Sequence, residues 1–513
     1  MKRTDERKDY ALTWGGLVSE LVVTTNNKKS AEGIVGSNTE GQNFRRLEFM
    51  KETNQGDNCG KQKTTLRDDS PEDEINLGGH SQDKINSKQK TEYELLDKIL
   101  DRNNMNQAFK KVKANKGVAG IDGITTDELL EHLKENKEKI IGQIRVRKYK
   151  PKPVNRVEIP KENGKTRKLG IPTTTDRVIQ QSILQVLSPI YETQFSDSSF
   201  GFRPGRSAHD ALKRVKEISD EGYEWVIDLD LETFFDTVNQ SKLIQILSET
   251  IKDGNVISLI HKYLKSGIMV EGVKIQSDQG VPQGGPLSPL LANTMLNEAD
   301  QELEKWGYKF VRYADDILIF ARNPKAAERY YKRIKKYLGK ELRLKVNEEK
   351  SEIRKLNKTK YLGYGFYKNK GWQFKAHSDS LEKFKTKLKE TTSRSNGMSH
   401  ENRKNKLNQI IRGWIQYFKL ANMRTYMKEL DEWLRRRIRM CAWKSWKKVR
   451  TKFKNLKQLG INSDKAWEWA NTRKSYWRTA GSWILSRALP NKIIAKRGYI
   501  SLLDYYQKVR IKL

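Results

Sequence analysis

Two adjacent carboxylates, Asp315 and Asp316, are the residues whose types and spacing best fit chemistry in this chain. They lie between two apolar runs, 308–311 and 317–320, a pattern that predicts a β-hairpin with both acids at its tight turn. Adjacent carboxylates repel each other, and a pair of divalent metal ions would neutralise them. Two-metal sites carry out nucleotidyl transfer. For an Asp-Asp dipeptide taken alone, an exposed turn without chemistry is the alternative.

A third carboxylate, Asp230, ends the predicted strand 225–230 and is a candidate to complete this site. Three carboxylates would offset much of the charge of two Mg²⁺ ions, which prefer oxygen ligands. Such ions would activate a primer 3′-hydroxyl and stabilise the leaving pyrophosphate. Asp228 lies two residues back on the same strand face, so spacing alone does not separate it from Asp230. Asp236 is interpreted as structural.

An aromatic residue, Phe235, follows Asp230 by five positions and would lie beside the sugar of an incoming nucleotide. A bulky ring there would clash with a 2′-hydroxyl and select deoxynucleotides. Ordinary core packing of Phe235 is an equally weighted alternative.

The charge of the chain predicts a polyanionic partner. Its 513 residues include 100 Lys and Arg against 64 Asp and Glu, a net charge of +36. Residues 375–513 hold 35 basic and 10 acidic side chains, whereas residues 1–90 hold 15 of each. This localisation favours nucleic acid over a membrane or an acidic protein.

Cysteine content and hydropathy limit the class of protein further. Two cysteines, Cys59 and Cys441, exclude a disulfide framework and a cysteine-based zinc site. No apolar run approaches the ~18 residues of a membrane span, and no secretion signal is recognised. We therefore expect an intracellular protein.

The elements that would position these residues divide the chain into a mixed region and a helical region. Residues 1–90 are polar and predict disorder, and translation could begin later than Met1. Residues 91–150 predict helices around the glycine loop 115–123, which is either a contact to a sugar-phosphate backbone or a plain connector. Paired strands over 154–172, a helix opening at Asp176, and a helix beginning at Ser288-Pro289 with the serine as cap predict an α+β domain. From residue 381 the pattern is helical, basic and aromatic.

Six sequence blocks in a fixed order resemble the reverse transcriptases encoded by bacterial group II introns, over about residues 92–510. These blocks are Ile159–Pro172, Phe200–Ser207, Asp228–Asp236, Pro282–Pro289, Tyr313–Asp316 and Lys360–Phe366. The resemblance implies a right-hand polymerase: fingers and palm over residues 91–374, a helical thumb (the maturase X domain) over 375–445, and a basic DNA-binding module over 446–513.

The resemblance also implies roles for individual residues. Asp230, Asp315 and Asp316 would be the catalytic metal ligands for two Mg²⁺ ions, and Phe235 the sugar gate. Lys161 and Arg167 would lie near the triphosphate of the incoming deoxynucleotide, and Gln283 near the template or the nascent pair. Contacts to template or intron RNA would come from Lys116, Gly117, Arg203, Arg412, Arg435, Arg436 and Arg437. Contacts to DNA would come from Arg473, Lys474 and Arg478.

The function implied is an RNA-directed DNA polymerase that binds its host intron RNA, assists its splicing and copies it into DNA at a target site, in the bacterial cytoplasm. The absence of the paired cysteines that staple the H-N-H nuclease of many relatives predicts the compact group IIC class. Two alternatives stay open: a splicing-only RNA-binding maturase, and a reverse transcriptase of a defence or mutagenic-retrohoming system.

Overall fold

The structure is a computed structural model and describes residues 95–160, 166–276 and 278–511. The predicted disorder of residues 1–90, the predicted turn at 162–164 and Lys161 lie outside the described residues, as does the side chain of Arg167.

The described residues form nineteen α-helices, one short 3-10 helix (Leu356–Lys358) and eleven strands. The helices are α1 (95–100), α2 (Arg102–Ala114), α3 (Leu129–Arg145), α4 (Thr174–Glu192), α5 (Ala208–Asp220), α6 (Phe234–Thr237), α7 (Gln240–Thr250), α8 (Gly254–Leu264), α9 (Ser288–Lys305), α10 (Pro324–Lys340), α11 (Ser378–Thr391), α12 (His400–Tyr417), α13 (Arg424–Ser445), α14 (Val449–Gln458), α15 (Ser463–Ala470), α16 (Tyr476–Ala480), α17 (Trp483–Ala488), α18 (Asn491–Lys496) and α19 (Leu502–Arg510). The strands are β1 (Val154–Pro160), β2 (Thr166–Ile171), β3 (Trp225–Leu229), β4 (Ile268–Val270), β5 (Val273–Ile275), β6 (Lys309–Tyr313), β7 (Asp316–Ala321), β8 (Glu352–Lys355), β9 (Lys360–Tyr361), β10 (Tyr364–Lys368) and β11 (Trp372–Ala376).

The central sheet has the strand order β6-β7-β3-β8, and all of its neighbours are antiparallel. Its side chains alternate between two buried faces, as a sheet covered on both sides requires. Ile227 and Ile319 join the core that includes α9 and α10, whereas Val226 and Leu318 join the core that includes α5 and β10. The predicted hairpin over 308–320 is confirmed as β6 and β7.

A second sheet, with the order β2-β1-β4-β5, contains the strand pair predicted over 154–172. Strands β1 and β2 are antiparallel, and β1 also pairs with β4 in parallel. The third sheet, β11-β10-β9, leads from the mixed region into the helical one.

Two helix starts differ from the predictions. Helix α4 begins at Thr174, and the hydroxyl of Thr173 accepts a hydrogen bond from the Asp176 N–H, so Asp176 lies one turn inside the helix. Ser288 is the first residue of α9 and not its cap, because its hydroxyl donates to the Pro282 carbonyl at 2.6 Å. Pro289 lies in the first turn, as predicted.

The helical region contains two cores, and their boundary corrects the predicted division at residue 446. One core joins α11–α13 to the β10–β11 sheet, and it also takes in Leu502, Tyr506 and Val509 of α19. The other core, between Met440 and Leu489, belongs to the basic module. The chain therefore leaves the thumb, forms the module and returns to the thumb. None of the helices over the described residues combines the length and hydrophobicity needed to cross a bilayer.

Candidate active site

The carboxylate hairpin turns at Ala314 and Asp315, because Tyr313 pairs with Asp316 across the strands. Ala314 has a φ of 57°, a left-handed conformation that alanine adopts at a cost in tight turns. The neighbouring loop holds this turn closely, since a Cβ at Gly201 would lie 2.2 Å from the Ala314 nitrogen. Only glycine fits at that approach, and the turn is therefore braced from outside the hairpin.

Asp230 lies at the same corner as Asp315 and Asp316. Leu229 is opposite Ile317 in the β3–β7 ladder, so the next residue along, Asp230, lies beside Asp316. Its backbone is fixed by two further bonds, to the Ser351 hydroxyl at 3.0 Å and from the Asn347 N–H at 2.8 Å. The structure thus brings Asp230 beside the adjacent pair Asp315 and Asp316, which begins 85 positions further along the chain.

The electrostatics of this corner favour a bound cation. Desolvation by the surrounding protein, followed by repulsion from Asp315, Asp228 and Asp230, raises the pKa of Asp316 to about 7. Part of Asp316 nevertheless remains accessible to solvent. Lys350 opposes this shift, and its Nζ lies 3.0 Å from an Asp230 oxygen. A cation that replaced the proton on Asp316 would relieve the repulsion.

The rival carboxylate Asp228 is also in the cluster. Burial, with smaller contributions from Asp230 and Glu352, raises the pKa of Asp228 to about 6, against an opposing effect of Arg354 at 3.4 Å. Asp228 is thus paired with Arg354, and Asp230 is paired with Lys350. Ion pairing therefore does not show which of the two carboxylates is the better candidate metal ligand.

The carboxylate oxygens of this corner are suitable ligands for a hard divalent cation. Their side chains, however, are not arranged as a complete coordination sphere. Over the described ranges, no three His, Cys, Asp or Glu side chains converge as metal ligands do. Asp230 is turned toward Lys350, so metal binding requires a change of rotamer at Asp230 or Lys350.

A buried ion pair that sequence reasoning missed anchors the hairpin. Arg312 and Asp300 have fully buried side chains and a bidentate contact, with both Nε–O distances at 2.9 Å. Arg312 Nη1 also donates to the Asn293 side chain at 2.8 Å and to the Ala314 carbonyl at 3.0 Å. Asn293 in turn donates to the Gly201 carbonyl at 2.8 Å. The one available signal was an arginine directly after the apolar pair Phe310-Val311 in the strand.

The predicted nucleotide contacts Phe235 and Gln283 lie along neighbouring backbone segments. Phe235 is partly buried, contacts Phe234 edge-on at 5.3 Å between ring centroids, and accepts a hydrogen bond from the Val281 N–H at 2.7 Å. The Gln283 carbonyl accepts from the Gly170 N–H at 2.6 Å, which ties β2 to this segment. The backbone of Arg167 pairs with Ile159 in the same hairpin.

The glycine loop is packed against α4. The Arg177 guanidinium donates to the Val118 and Pro172 carbonyls, and a Cβ at Gly117 would lie 2.6 Å from it. A Cβ at Gly120 would lie 2.6 Å from the Thr173 Cα. Close packing against backbone thus explains Gly120, whereas the neighbour of Gly117 is a side chain, and Lys116 remains exposed beside them.

The predicted RNA contact at Arg203 is wrong in this structure. Its side chain is 2% exposed, pairs with Glu192 at 2.7 Å and donates to the Ser196 and Ser199 carbonyls. No guanidinium surface is left for RNA, and we reassign Arg203 to holding the 196–203 loop.

The arginine triplet of α13 also serves the protein itself. Arg435 pairs with Asp431 at 2.7 Å, Arg436 donates to the Trp477 carbonyl at 3.0 Å, and Arg437 donates to the Thr392 hydroxyl at 2.6 Å. Arg435 is therefore paired within α13, whereas Arg436 and Arg437 connect α13 to neighbouring segments, and all three guanidinium groups have protein partners. Four other predicted contacts have exposed side chains: Arg412, Arg473, Lys474 and Arg478.

Comparison with known proteins identifies the class to which this arrangement belongs. Residues 159–366 match the family described as reverse transcriptase (RNA-dependent DNA polymerase), and residues 381–460 match the family described as group II intron, maturase-specific domain. Reverse transcriptase domains generally use divalent metal ions, which agrees with the carboxylate corner.

Individual relatives show which members of the family this chain is similar to. Protein YkfC of Escherichia coli K12 is 34% identical over 276 residues, which cover 46% of this chain and 72% of YkfC. The group II intron-encoded protein LtrA of Lactococcus lactis subsp. cremoris is 38% identical over 251 residues, which cover 48% of this chain and 41% of LtrA. A solved apo telomerase from Candida tropicalis is 14% identical, with 74% of this chain and 71% of that chain covered and a TM-score of 0.40, too low for interpretation. The chain belongs to the group II intron-encoded reverse transcriptase and maturase family, whose domains imply intron RNA and nucleic acid substrates.

Proposed function

We propose that this protein copies intron RNA into DNA and also binds that RNA to assist its splicing. The observation that carries the proposal is the placement of Asp230 beside the Asp315–Asp316 turn, within a reverse transcriptase domain that is followed by a maturase-specific domain. The intron RNA would catalyse splicing itself, and the protein would stabilise its active fold.

The carboxylates would hold two Mg²⁺ ions between Asp230, Asp315 and Asp316. When bound, the ions would lower the pKa of a primer 3′-hydroxyl and stabilise the leaving pyrophosphate. Before binding, Lys350 neutralises Asp230, which limits repulsion in the metal-free site. Arg312 holds the Ala314 carbonyl and so fixes the turn that presents both adjacent acids.

Other residues of the chain would position the substrates. Phe235 would contact the sugar of the deoxynucleoside triphosphate, and Lys161 and Arg167 would neutralise its phosphates. Gln283 would contact the template or the new base pair. The exposed Arg412 would meet intron RNA, and the exposed Arg473, Lys474 and Arg478 would meet the DNA target.

Primer extension on an RNA template with deoxynucleoside triphosphates tests the polymerase. The wild-type chain should make complementary DNA in the presence of Mg²⁺, and Asp315→Ala should make none while it binds a group II intron transcript as tightly as the wild type. A wild-type chain that binds the transcript and stimulates its splicing, but extends no primer, would leave only the splicing-only alternative.

A further inference from the structure

Helix α10 carries a row of cations that no role described above uses. The row consists of Lys325, Arg329, Lys332, Lys336 and Lys340, at spacings of four, three, four and four residues, and all five are exposed. At about 100° per residue, these positions fall within an arc of roughly 80° on the helix. We call this row the α10 stripe.

The stripe is directly opposite the face by which α10 packs. Ala327, Ile334 and Leu338 are buried in the core that includes β3 and β7. The helix therefore rests on the sheet that carries the carboxylates and points its cations away from that sheet. Surface cations on this side lie outside the corner formed by Asp230 and Asp316.

Most of the stripe forms no close ion pair with the part of the chain that the structure describes. Lys325, Arg329, Lys332 and Lys336 form no ion pair within 4.0 Å with any described carboxylate, and only Lys340 approaches one, Glu341, at 3.8 Å. Cations at the edges of the stripe behave differently. Lys335 pairs with Glu348 at 2.8 Å, and Arg333 lies 4.0 Å from the centre of the Trp306 ring. The edge cations thus have protein partners, and the central ones face solvent.

We propose that the α10 stripe binds the phosphate backbone of double-helical RNA within the folded intron, an inference that rests on the proposed function. Four like charges on successive turns repel one another, and a polyanion that follows the helix axis would neutralise them. From residue 325 to residue 340 the stripe spans about 22 Å, at about 1.5 Å per residue, which matches several consecutive phosphates.

The composition of the stripe favours a nucleic-acid duplex over a single strand or a membrane surface. A single strand is bound through aromatic side chains on which its bases stack, but the tyrosines of α10, at positions 330, 331 and 337, are half-buried and turned inward. A membrane surface would need exposed apolar side chains beside the cations, and residues 325–340 expose none. Structured RNA is the duplex that the maturase-specific domain implies.

The test is a comparison of two charge-matched variants. The first combines Arg329→Gln, Lys332→Gln and Lys336→Gln in the stripe. The second combines Lys134→Gln, Lys137→Gln and Lys139→Gln, three exposed lysines of α3. Both variants lose three positive charges from exposed helix faces, so any general effect of net charge is the same.

Dissociation constants for a group II intron transcript, a short RNA duplex and a DNA duplex of the same sequence are measured across salt concentrations. The stripe variant should reduce the salt slope of log K for both RNAs by about 2 to 3, with a smaller change for DNA. The α3 variant should retain the wild-type slope. An unchanged slope in the stripe variant, an equal change in the α3 variant, or an equal loss for DNA and RNA would overturn the proposal.

Primer extension on poly(rA)/oligo(dT) separates this inference from the proposed function. The stripe variant should extend that primer at the wild-type rate, because the stripe faces away from the sheet that carries the carboxylates. A loss of extension in the stripe variant would contradict a purely RNA-docking role. A wild-type chain that fails to extend any primer would instead contradict the polymerase assignment.

Discussion

Asp316 shows how a single residue can favour function over stability. Its pKa is about 7 in the folded, metal-free protein, against an ordinary value of about 3.8 in the unfolded chain. Between those values the folded state binds the proton more tightly, so the folded state loses stability as pH rises from about 4 to 7.

We expect Asp316→Asn to abolish primer extension and to raise the melting temperature of the metal-free protein at pH 8. Because the side chain is accessible, solvent screening limits the gain to about 1 kcal/mol. Thermal melts in EDTA at pH 5 and pH 8 measure it, and the difference between variant and wild type should shrink at pH 5. Asp236→Asn, at an exposed position on α6, is the matched control and should leave both properties unchanged.

Phe235 should decide which sugar is accepted. Phe235→Ala would remove a ring whose position is fixed by Phe234 and by the bond to Val281. We expect the variant to incorporate ribonucleotides more readily, measured as the ratio of kcat/KM for a ribonucleotide to that for the matching deoxynucleotide. If that ratio does not change, Phe235 only packs the core.

At the scale of the element, the hairpin β6–β7 depends on a polar network beneath it. Arg312→Ala would leave Asp300 buried without a partner, a change that typically costs about 3–5 kcal/mol. Arg312→Lys retains the charge but cannot reach Asp300, Asn293 and Ala314 together. We expect Arg312→Lys to lower kcat roughly 10- to 100-fold through misplacement of the turn, with little change in KM for the nucleotide.

A double variant separates positioning from stability. Arg312→Met with Asp300→Leu removes both buried charges, and such replacements are often neutral for stability. Chemical denaturation should therefore show near wild-type stability, whereas kcat should stay low because the Ala314 carbonyl has lost its donor. Recovery of kcat along with stability would show that Arg312 has no positioning role.

The arginines of α13 belong to helix packing. We expect Arg436→Ala to lower the free energy of unfolding by about 1–2 kcal/mol, since it removes a bond to the Trp477 carbonyl and a contact 3.9 Å from the Trp477 ring. The salt slope of intron RNA binding should not change. Arg412→Gln, at an exposed position of α12, should show the reverse: a smaller slope with unchanged stability. A smaller salt slope of RNA binding for Arg436→Ala would indicate instead that the arginine triplet of α13 contacts RNA.

These elements show which features a sequence can predict. The hairpin was predictable because apolar runs on both sides of Asp315 and Asp316 fix the strands and the turn locally. The roles of Arg203 and Arg436 were not, because sequence shows a charge but not the acceptor that tertiary packing brings to it. The prediction that Ser288 caps α9 was wrong for the same reason, since the Ser288 hydroxyl donates to the carbonyl of Pro282, six residues earlier. Asp300 and Arg312 carry no motif, and only their shared burial gives them a role.

At the scale of the whole molecule, the thumb is completed by the last helix in the described chain. The Asp431 carboxylate accepts from the Leu502 N–H at 2.8 Å, and the Tyr506 hydroxyl donates to the Ala421 carbonyl at 2.8 Å. Leu502, Tyr506 and Val509 are buried among residues of α12 and α13. The basic module is thus inserted between two parts of the thumb, which sequence composition alone did not reveal.

This connectivity predicts that the module can be removed from within the chain but not by truncation. A chain that ends at residue 490 should lose α18 and α19 and melt at a lower temperature, because it removes the buried Ile494, Leu502, Tyr506 and Val509 from the thumb core. An internal deletion of residues 447–488, closed by a Gly/Ser linker, should preserve the thumb.

The closure is feasible because one end contacts α13 at Arg439, which donates to the Leu489 carbonyl at 2.9 Å and to the Asn491 side chain at 2.8 Å. The end of α13 lies six residues beyond Arg439, which is about 9 Å along the helix. A linker of about six residues reaches roughly 20 Å and can therefore span this gap. Trp443→Gln and Trp446→Gln accompany the deletion, since both rings are buried in the module. The internal deletion should keep intron RNA binding and lose affinity for a DNA duplex, while the truncated chain should lose both. If the truncated chain melts like the full-length protein, α19 contributes nothing to the thumb and the insertion interpretation fails.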